Sequence, residues 1–108
     1  MANTFKLKTK ANVGVTTVGI YTAPAATTTV VIGITMANTS GSGVNVGVGI
    51  TRASAEDIKL LKNAPLPQGS SLEFMAGNKV VLEATDTITV DSDANNSVDT
   101  ALTIMEIT

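Results

Sequence analysis

The side chains in this chain that could do chemistry are carboxylates and hydroxyls, because the sequence contains neither histidine nor cysteine. Their absence removes the usual general base near neutral pH, the activated thiolate and the commonest transition-metal ligands. Two close carboxylate pairs remain, Glu56 with Asp57 and Asp91 with Asp93. Shared acid and base work by such a pair needs a cleft that separates the two pKa values and holds a substrate. Both pairs lie in polar, turn-rich sequence, so the chain is read as non-enzymatic, with no catalytic residue.

The segment Asp91-Ser92-Asp93-Ala94-Asn95-Asn96-Ser97-Val98-Asp99 places oxygen-bearing side chains at alternating positions, a pattern that suits Ca²⁺. A helix-flanked calcium loop would want Gly where Asn96 stands and Glu where Leu102 stands. An Asx-rich turn, in which Asp and Asn bond their own backbone, accounts for the same residues. Gly41-Ser42-Gly43 and Gly47-Val48-Gly49 do not lead into a helix whose N-terminus could hold a phosphate. Gly47 and Gly49 sit inside a strand pattern, where glycine permits a bulge or a close backbone approach. No cofactor and no metal are assigned.

The elements that would carry these residues are strands. Val44, Val46, Val48 and Ile50 alternate with small or polar neighbours, the period of two that marks a strand. The stretch 28–37 puts Val30, Ile32, Ile34 and Met36 on one face by the same alternation. Turn formers at 38–43 predict a β-hairpin between these two strands. Further strands are expected at 4–8, with Phe5 and Leu7 inward, and at 12–21, 58–61, 71–74, 79–83, 86–90 and 98–107. Ser54 followed by Asp57 resembles a helix cap and keeps a short helix over 54–62 as the alternative there. Ala64-Pro65-Leu66-Pro67 is expected to end that element, and Ala76-Gly77-Asn78 to form a tight turn. The expectation is an all-β fold: a single antiparallel β-sandwich, Ig-like or jelly-roll, of about eight or nine short strands. Residues 1–10 form an N-terminal arm or first strand, and 11–108 the sandwich.

Composition narrows the function further. The 108 residues are 44% hydrophobic but only 3% aromatic, so the core must be built from Val, Ile, Leu and Met. A core of smaller side chains is modest, and burial between subunits can make up the difference. The net charge of −2 offers no footprint for nucleic acid. No apolar run approaches the ~20 residues of a spanning helix, and the N-terminus lacks the apolar stretch of a signal peptide. The chain is therefore expected to be soluble, made in a cytosol, and bound to neither nucleic acid nor membrane. Lys6, Lys8 and Lys10 alternate along the first strand, while Asp86, Asp91, Asp93, Asp99 and Glu106 crowd the last third. Such charges blunt strand edges, or else form a basic arm that meets an acidic surface on a neighbouring subunit.

Three stretches together carry a resemblance: Ile20-Tyr21-Thr22-Ala23-Pro24-Ala25 leading into Val30-Val31-Ile32-Gly33-Ile34 and Ala37-Asn38-Thr39-Ser40-Gly41, then Asn63-Ala64-Pro65-Leu66-Pro67-Gln68-Gly69-Ser70-Ser71-Leu72, then Lys79-Val80-Val81-Leu82-Glu83-Ala84 through Ser97-Val98-Asp99 to Met105-Glu106-Ile107. They resemble small virion structural proteins of tailed bacteriophages, of the kind found with marine and cyanobacterial hosts. Where that resemblance would place Gly before Asp86, this chain has Thr85. It implies a virion protein assembled in the host cytoplasm, a capsid decoration or cement protein that forms homo-oligomers, a trimer being one arrangement, and binds the major capsid protein or other virion proteins. A neck, tail or baseplate component is the alternative, and a receptor- or carbohydrate-binding fibre module the second. The residues expected at the assembly interface are Phe5, Lys6, Lys8 and Lys10 of the arm, Val30, Ile32 and Ile34 of the third strand, and Pro65, Leu66 and Pro67.

Overall fold

A computed structural model describes residues 3–52, 56–74 and 79–108. Among them are nine strands and no helix: β1 (Asn3–Val13), β2 (Val18–Thr22), β3 (Thr28–Asn38), β4 (Val44–Thr51), β5 (Asp57–Leu66), β6 (Ser71–Phe74), β7 (Val80–Leu82), β8 (Thr87–Ser92) and β9 (Val98–Ile107). One sheet runs β1-β9-β3 with β6 and β7 both on the far edge of β3, and the other runs β2-β8-β4-β5. Every ladder is antiparallel. β7 pairs with Thr29–Val31 and β6 with Ile34–Ala37, so the two lie end to end along β3 and share one position in the sheet. Counted that way, each sheet has four positions, and their order is that of an eight-stranded jelly roll. An immunoglobulin sandwich would divide its strands differently.

Alternation builds the core. β4 turns Val44, Val46, Val48 and Ile50 inward, and β9 does the same with Val98, Leu102 and Ile104, all buried. The largest fully buried side chains are Ile34, Met36, Leu82, Ile88, Leu102 and Ile104, so aliphatic residues fill the sandwich as composition demanded. Gly47 and Gly49 stand opposite them on the outer side, where β5 bulges over β4. A Cβ on Gly49 would lie 2.8 Å from the Ile58 carbonyl oxygen, and one on Gly47 would lie 2.6 Å from Asp91 Oδ1. The close approach expected of this pair is what the fold uses.

Four local expectations are corrected. In β3 the register shifts between Val31 and Gly33, which puts a bulge at Ile32. Val31, Ile34 and Met36 therefore point into the core, while Val30 points outward, away from Ile34. The 39–43 segment does not close a hairpin, because β3 and β4 belong to different sheets and the chain crosses between layers there. Asn38 anchors that crossing: its Nδ2 donates to the carbonyls of Ser42 and Leu66 at 2.9 Å each. Strand 12–21 is broken at 14–17, with Asn12 at φ 59° and Val13 still in β1. Finally, β5 is extended from Asp57 and runs on through Pro65. It can do so because it is an edge strand, where a missing N–H interrupts no second ladder. Ser54 and the Ala76-Gly77-Asn78 turn lie outside the described residues.

Candidate assembly surface

The outer faces of the two sheets differ in chemistry. On the β2-β8-β4-β5 sheet, Thr22, Thr87, Thr89, Asp91 and Lys59 face out. Thr22 Oγ1 and Thr87 Oγ1 are 2.8 Å apart, Thr17 Oγ1 donates to Asp91 Oδ2 at 3.0 Å, and Lys59 Nζ lies 3.7 Å from the same carboxylate oxygen. This is an ordinary wet face.

The outer face of the other sheet is apolar at one end. Ladder partners share a face, so the register places Phe5 beside Met105, Met105 beside Val30, and Val30 beside Val81, a row across β1, β9, β3 and β7. Phe5 is 68% exposed, Leu7 65% and Val81 55%. Toward the other end the rows become small: Leu7, Thr103 and Gly33, then Thr9, Ala101, Thr35 and Glu73, then Asp99, Ala37 and Ser71. Glu73 and Asp99 are the charged residues in these rows.

Phe5 and Leu7 thus point away from the core, the reverse of the inward expectation. Pairing Lys6 with Ile104 and Lys8 with Leu102 puts the lysines on the inner side of the sheet. They can stand there because β1 overhangs: among residues 3–12 all are exposed except the half-buried Lys8. Lys6 Nζ reaches Glu106 Oε1 at 2.9 Å within its own chain. The buried Glu106 also accepts a short hydrogen bond from the Tyr21 hydroxyl, which in turn is 2.8 Å from Thr29 Oγ1. Burial, then the hydrogen bond to Glu106, pushes the Tyr21 hydroxyl up to about 12. The Glu106 carboxyl is held below its ordinary range, first by Tyr21 and then by Lys6. β1 is latched to the sandwich by this cluster.

The remaining candidates fall in several places. Val30 and Ile32 are half-buried, with Val30 in the outer row, whereas Ile34 lies fully in the core and has nothing to offer a partner while the sandwich is closed. Pro65 and Pro67 are exposed beside a depression of ≈ 230 Å³, but Leu66 between them is only 2% exposed. A second depression of ≈ 240 Å³ includes Arg52, whose Nε lies 3.0 Å from Asp86 Oδ2 and whose Nη2 lies 2.6 Å from Glu83 Oε1. Those two carboxylates raise the guanidinium's pKa, Asp86 first. Glu56 and Asp57 are both exposed. The carboxylates of the 91–99 segment serve separate partners: Asp91 serves Thr17, Asp93 Oδ1 accepts from the Asn45 N–H, and Asp99 Oδ1 accepts from the Asn12 N–H, the last two at 3.0 Å. Among the described residues no three acidic side chains converge as a metal site.

Leu7, Thr103, Met105, Ile107 and Val81 escaped the sequence reading as surface residues. The signal was available in 98–107, where Ala101, Thr103, Met105 and Ile107 alternate with the core side chains.

No protein-family model and no curated protein matches the chain. Solved structures do. The chain is similar to a subunit of Bacillus endospore appendages, a family of disulfide-linked pili, with TM-score 0.60 and 14% identity over 99% of this chain and 87% of that one. A pentameric capsid protein from metagenomic phage sequences gives TM-score 0.46 and 20% identity over 89% of this chain and 59% of that one. A chain of the cyanophage Pam1 capsid gives 0.45 and 14% over 95% and 85%. The first of these establishes a shared fold.

Proposed function

We propose that the protein is a non-enzymatic structural subunit of a virion, specifically a capsid decoration or cement protein that associates with its own copies and with the major capsid protein. The observation that carries this reading is the outer face of the five-stranded sheet, where Phe5, Leu7 and Val81 stand exposed in and beside a row with Met105 and Val30. Apolar side chains gathered on one face are an interaction surface rather than scatter. The two depressions fall below the ~300 Å³ at which ligand pockets begin, and the charged groups lining them are engaged in ion pairs or backbone hydrogen bonds. The pilus-like fold supports an assembly role, and so does the phage resemblance. Because this chain has no cysteine, it would assemble by non-covalent contact, without the disulfide links named for those pili. A fibre module that binds sugar is the weaker reading, since Tyr21 is buried and the exposed Phe5 stands in an apolar row without the polar groups a sugar site needs beside its aromatic platform.

Residues 1–10 act as the arm in this reading, and the sandwich of 11–108 presents the rest of the face. A protein that binds only the assembled shell stabilises it by mass action, with no chemistry performed. Quantitative mass spectrometry of purified particles tests the proposal. A copy number near that of the major capsid protein is expected. A few dozen copies would move the protein to the neck, tail or baseplate, and absence from particles would overturn the virion role.

A further inference from the structure

We infer that the outer face of the five-stranded sheet pairs with the same face of a second copy, around a two-fold axis that lies between the sheets and runs across the strands. The inference rests on the assembly reading above and names the partner.

The relief of the face points to this occupant. Its large side chains are gathered in one row, Phe5, Met105, Val30 and Val81, and its small ones two rows away at Thr9, Ala101 and Thr35, with Leu7, Thr103 and Gly33 between. Two such faces stacked about 10 Å apart interdigitate only when bulk meets hollow. An axis along the strands would set the large row on itself. An axis across the strands, passing by the Leu7, Thr103 and Gly33 row, sets Met105 over Ala101 of the partner subunit and Val30 over Thr35 of the partner subunit. The match is isologous, so each copy supplies both halves. Gly33 leaves open space where a Cβ would stand, with nothing within 4 Å.

Area and charge agree with that occupant. Four rows, each two residues deep, cover roughly 27 Å along the strands, and four strands roughly 19 Å across, so the flat footprint is on the order of 500 Å² before side-chain relief is counted. A standard interface takes about 800 Å² of accessible surface from each partner. Under that axis Glu73 comes opposite Val81 of the partner subunit at the edge of the sheet and Asp99 lies one row further out, so Phe5, Met105, Val30 and the middle row meet no charge, as the centre of an interface requires.

The absence of native cysteine makes the test direct. Thr103→Cys puts a thiol beside the proposed axis, and Thr87→Cys puts one on the outer face of the other sheet as a control. Under mild oxidation at tens of micromolar protein, Thr103→Cys is expected to become a disulfide dimer at least tenfold faster than Thr87→Cys. Light scattering on the unmodified chain, read up to about 1 mM, is expected to approach about 22 kDa, twice the 11.0 kDa of one chain. Met105→Asp should return it to one chain with unchanged circular dichroism, and Ala101→Arg serves if that variant does not fold. Equal oxidation rates, a monomer throughout, or a mass near three chains overturns the pairing. A monomer that still enters particles overturns only the pairing, whereas a cross-linked dimer that never enters particles overturns the virion reading and leaves the pairing intact.

Discussion

Val30 and Val31 are adjacent and chemically identical, yet the bulge at Ile32 gives them opposite fates, which makes them the sharpest probe of this fold. Val31 is fully buried and Val30 is half-buried on the outer face. Truncation to alanine at Val31 removes the equivalent of two methylenes, about 1.6 kcal/mol of transfer free energy at ~0.8 kcal/mol each. A residual cavity of about 50 Å³ adds about 1.2 kcal/mol at ~24 cal/mol per Å³. Val31→Ala should therefore cost about 2–3 kcal/mol and lower Tm by about 10 °C in a domain of this size. Val30→Ala trims a half-buried side chain in the row with Met105 and Val81, and in dilute protein should cost under about 1 kcal/mol. Urea unfolding followed by far-ultraviolet circular dichroism suits a chain without tryptophan. Uninterrupted alternation puts Val30 on the same side as Ile34, so a Val30→Ala cost equal to that of Val31→Ala would refute the bulge. Repeating both at high concentration separates packing from association, since only the Val30 cost should grow if its face is covered by a partner.

Three further outcomes follow from local geometry. Gly49→Ala should cost about 1–3 kcal/mol through overpacking, because the new Cβ would lie 2.8 Å from the Ile58 carbonyl oxygen, whereas Gly33→Ala, with nothing within 4 Å, should be neutral or slightly stabilising in dilute protein; calorimetry on the pair checks both. Thr85 holds φ at 69°, a strained angle for a β-branched residue, so Thr85→Gly should raise stability by about 1 kcal/mol, and a loss would show that the Glu83–Asp86 turn is held by the threonine itself. The depressed Glu106 pKa contributes stability that is complete above the ordinary carboxylate range near ~4.3 and is lost as pH falls through the lower native value. Tyr21→Phe removes the first cause of that depression, so the stability gap between the two proteins should be widest at neutral pH and narrow in acid; a gap independent of pH would refute the latch.

Much of the fold was legible because a period of two leaves little freedom. All nine strands have a counterpart in the sequence pattern, and the aliphatic core follows from composition, whereas Asp91, Asp93 and Asp99 bond distant residues rather than their own turn. What pattern could not carry was anything that depends on which strand lies alongside which. The crossing at 39–43 looks like a hairpin because local turn chemistry is the same whether the chain returns to its own sheet or enters the other. Ile32 gives no sign of its bulge, since Val30-Val31-Ile32 is apolar at every position and fits either phase. The polarity of β1 was inverted for a related reason: apolar-in is the rule for a covered strand, and an overhanging edge strand escapes it. Once β1 pairs with β9, Lys6 must share a face with Ile104 and Glu106, and Phe5 goes outward with Met105. Of the interface expectations, Ile34 and Leu66 are core residues for the same reason: period alone cannot say which face of a two-faced apolar strand is covered.

The strength of the exposed face bears on what it is for. Fully burying a Val, Leu or Phe side chain is worth about 1.5–3 kcal/mol, and Phe5, Leu7 and Val81 stand between 55% and 68% exposed. Together they can supply roughly 3–5 kcal/mol per subunit, or about 6–10 kcal/mol when both faces of a pair are counted. Association itself costs about 4–15 kcal/mol of lost freedom, so one such contact gives a weak pair rather than an obligate dimer. A subunit in a shell or filament meets several neighbours at once, and each further contact is made at a high effective concentration. A face this weak pairs two isolated copies only at high concentration, and in the proposed lattice it would act beside further contacts made by the same subunit.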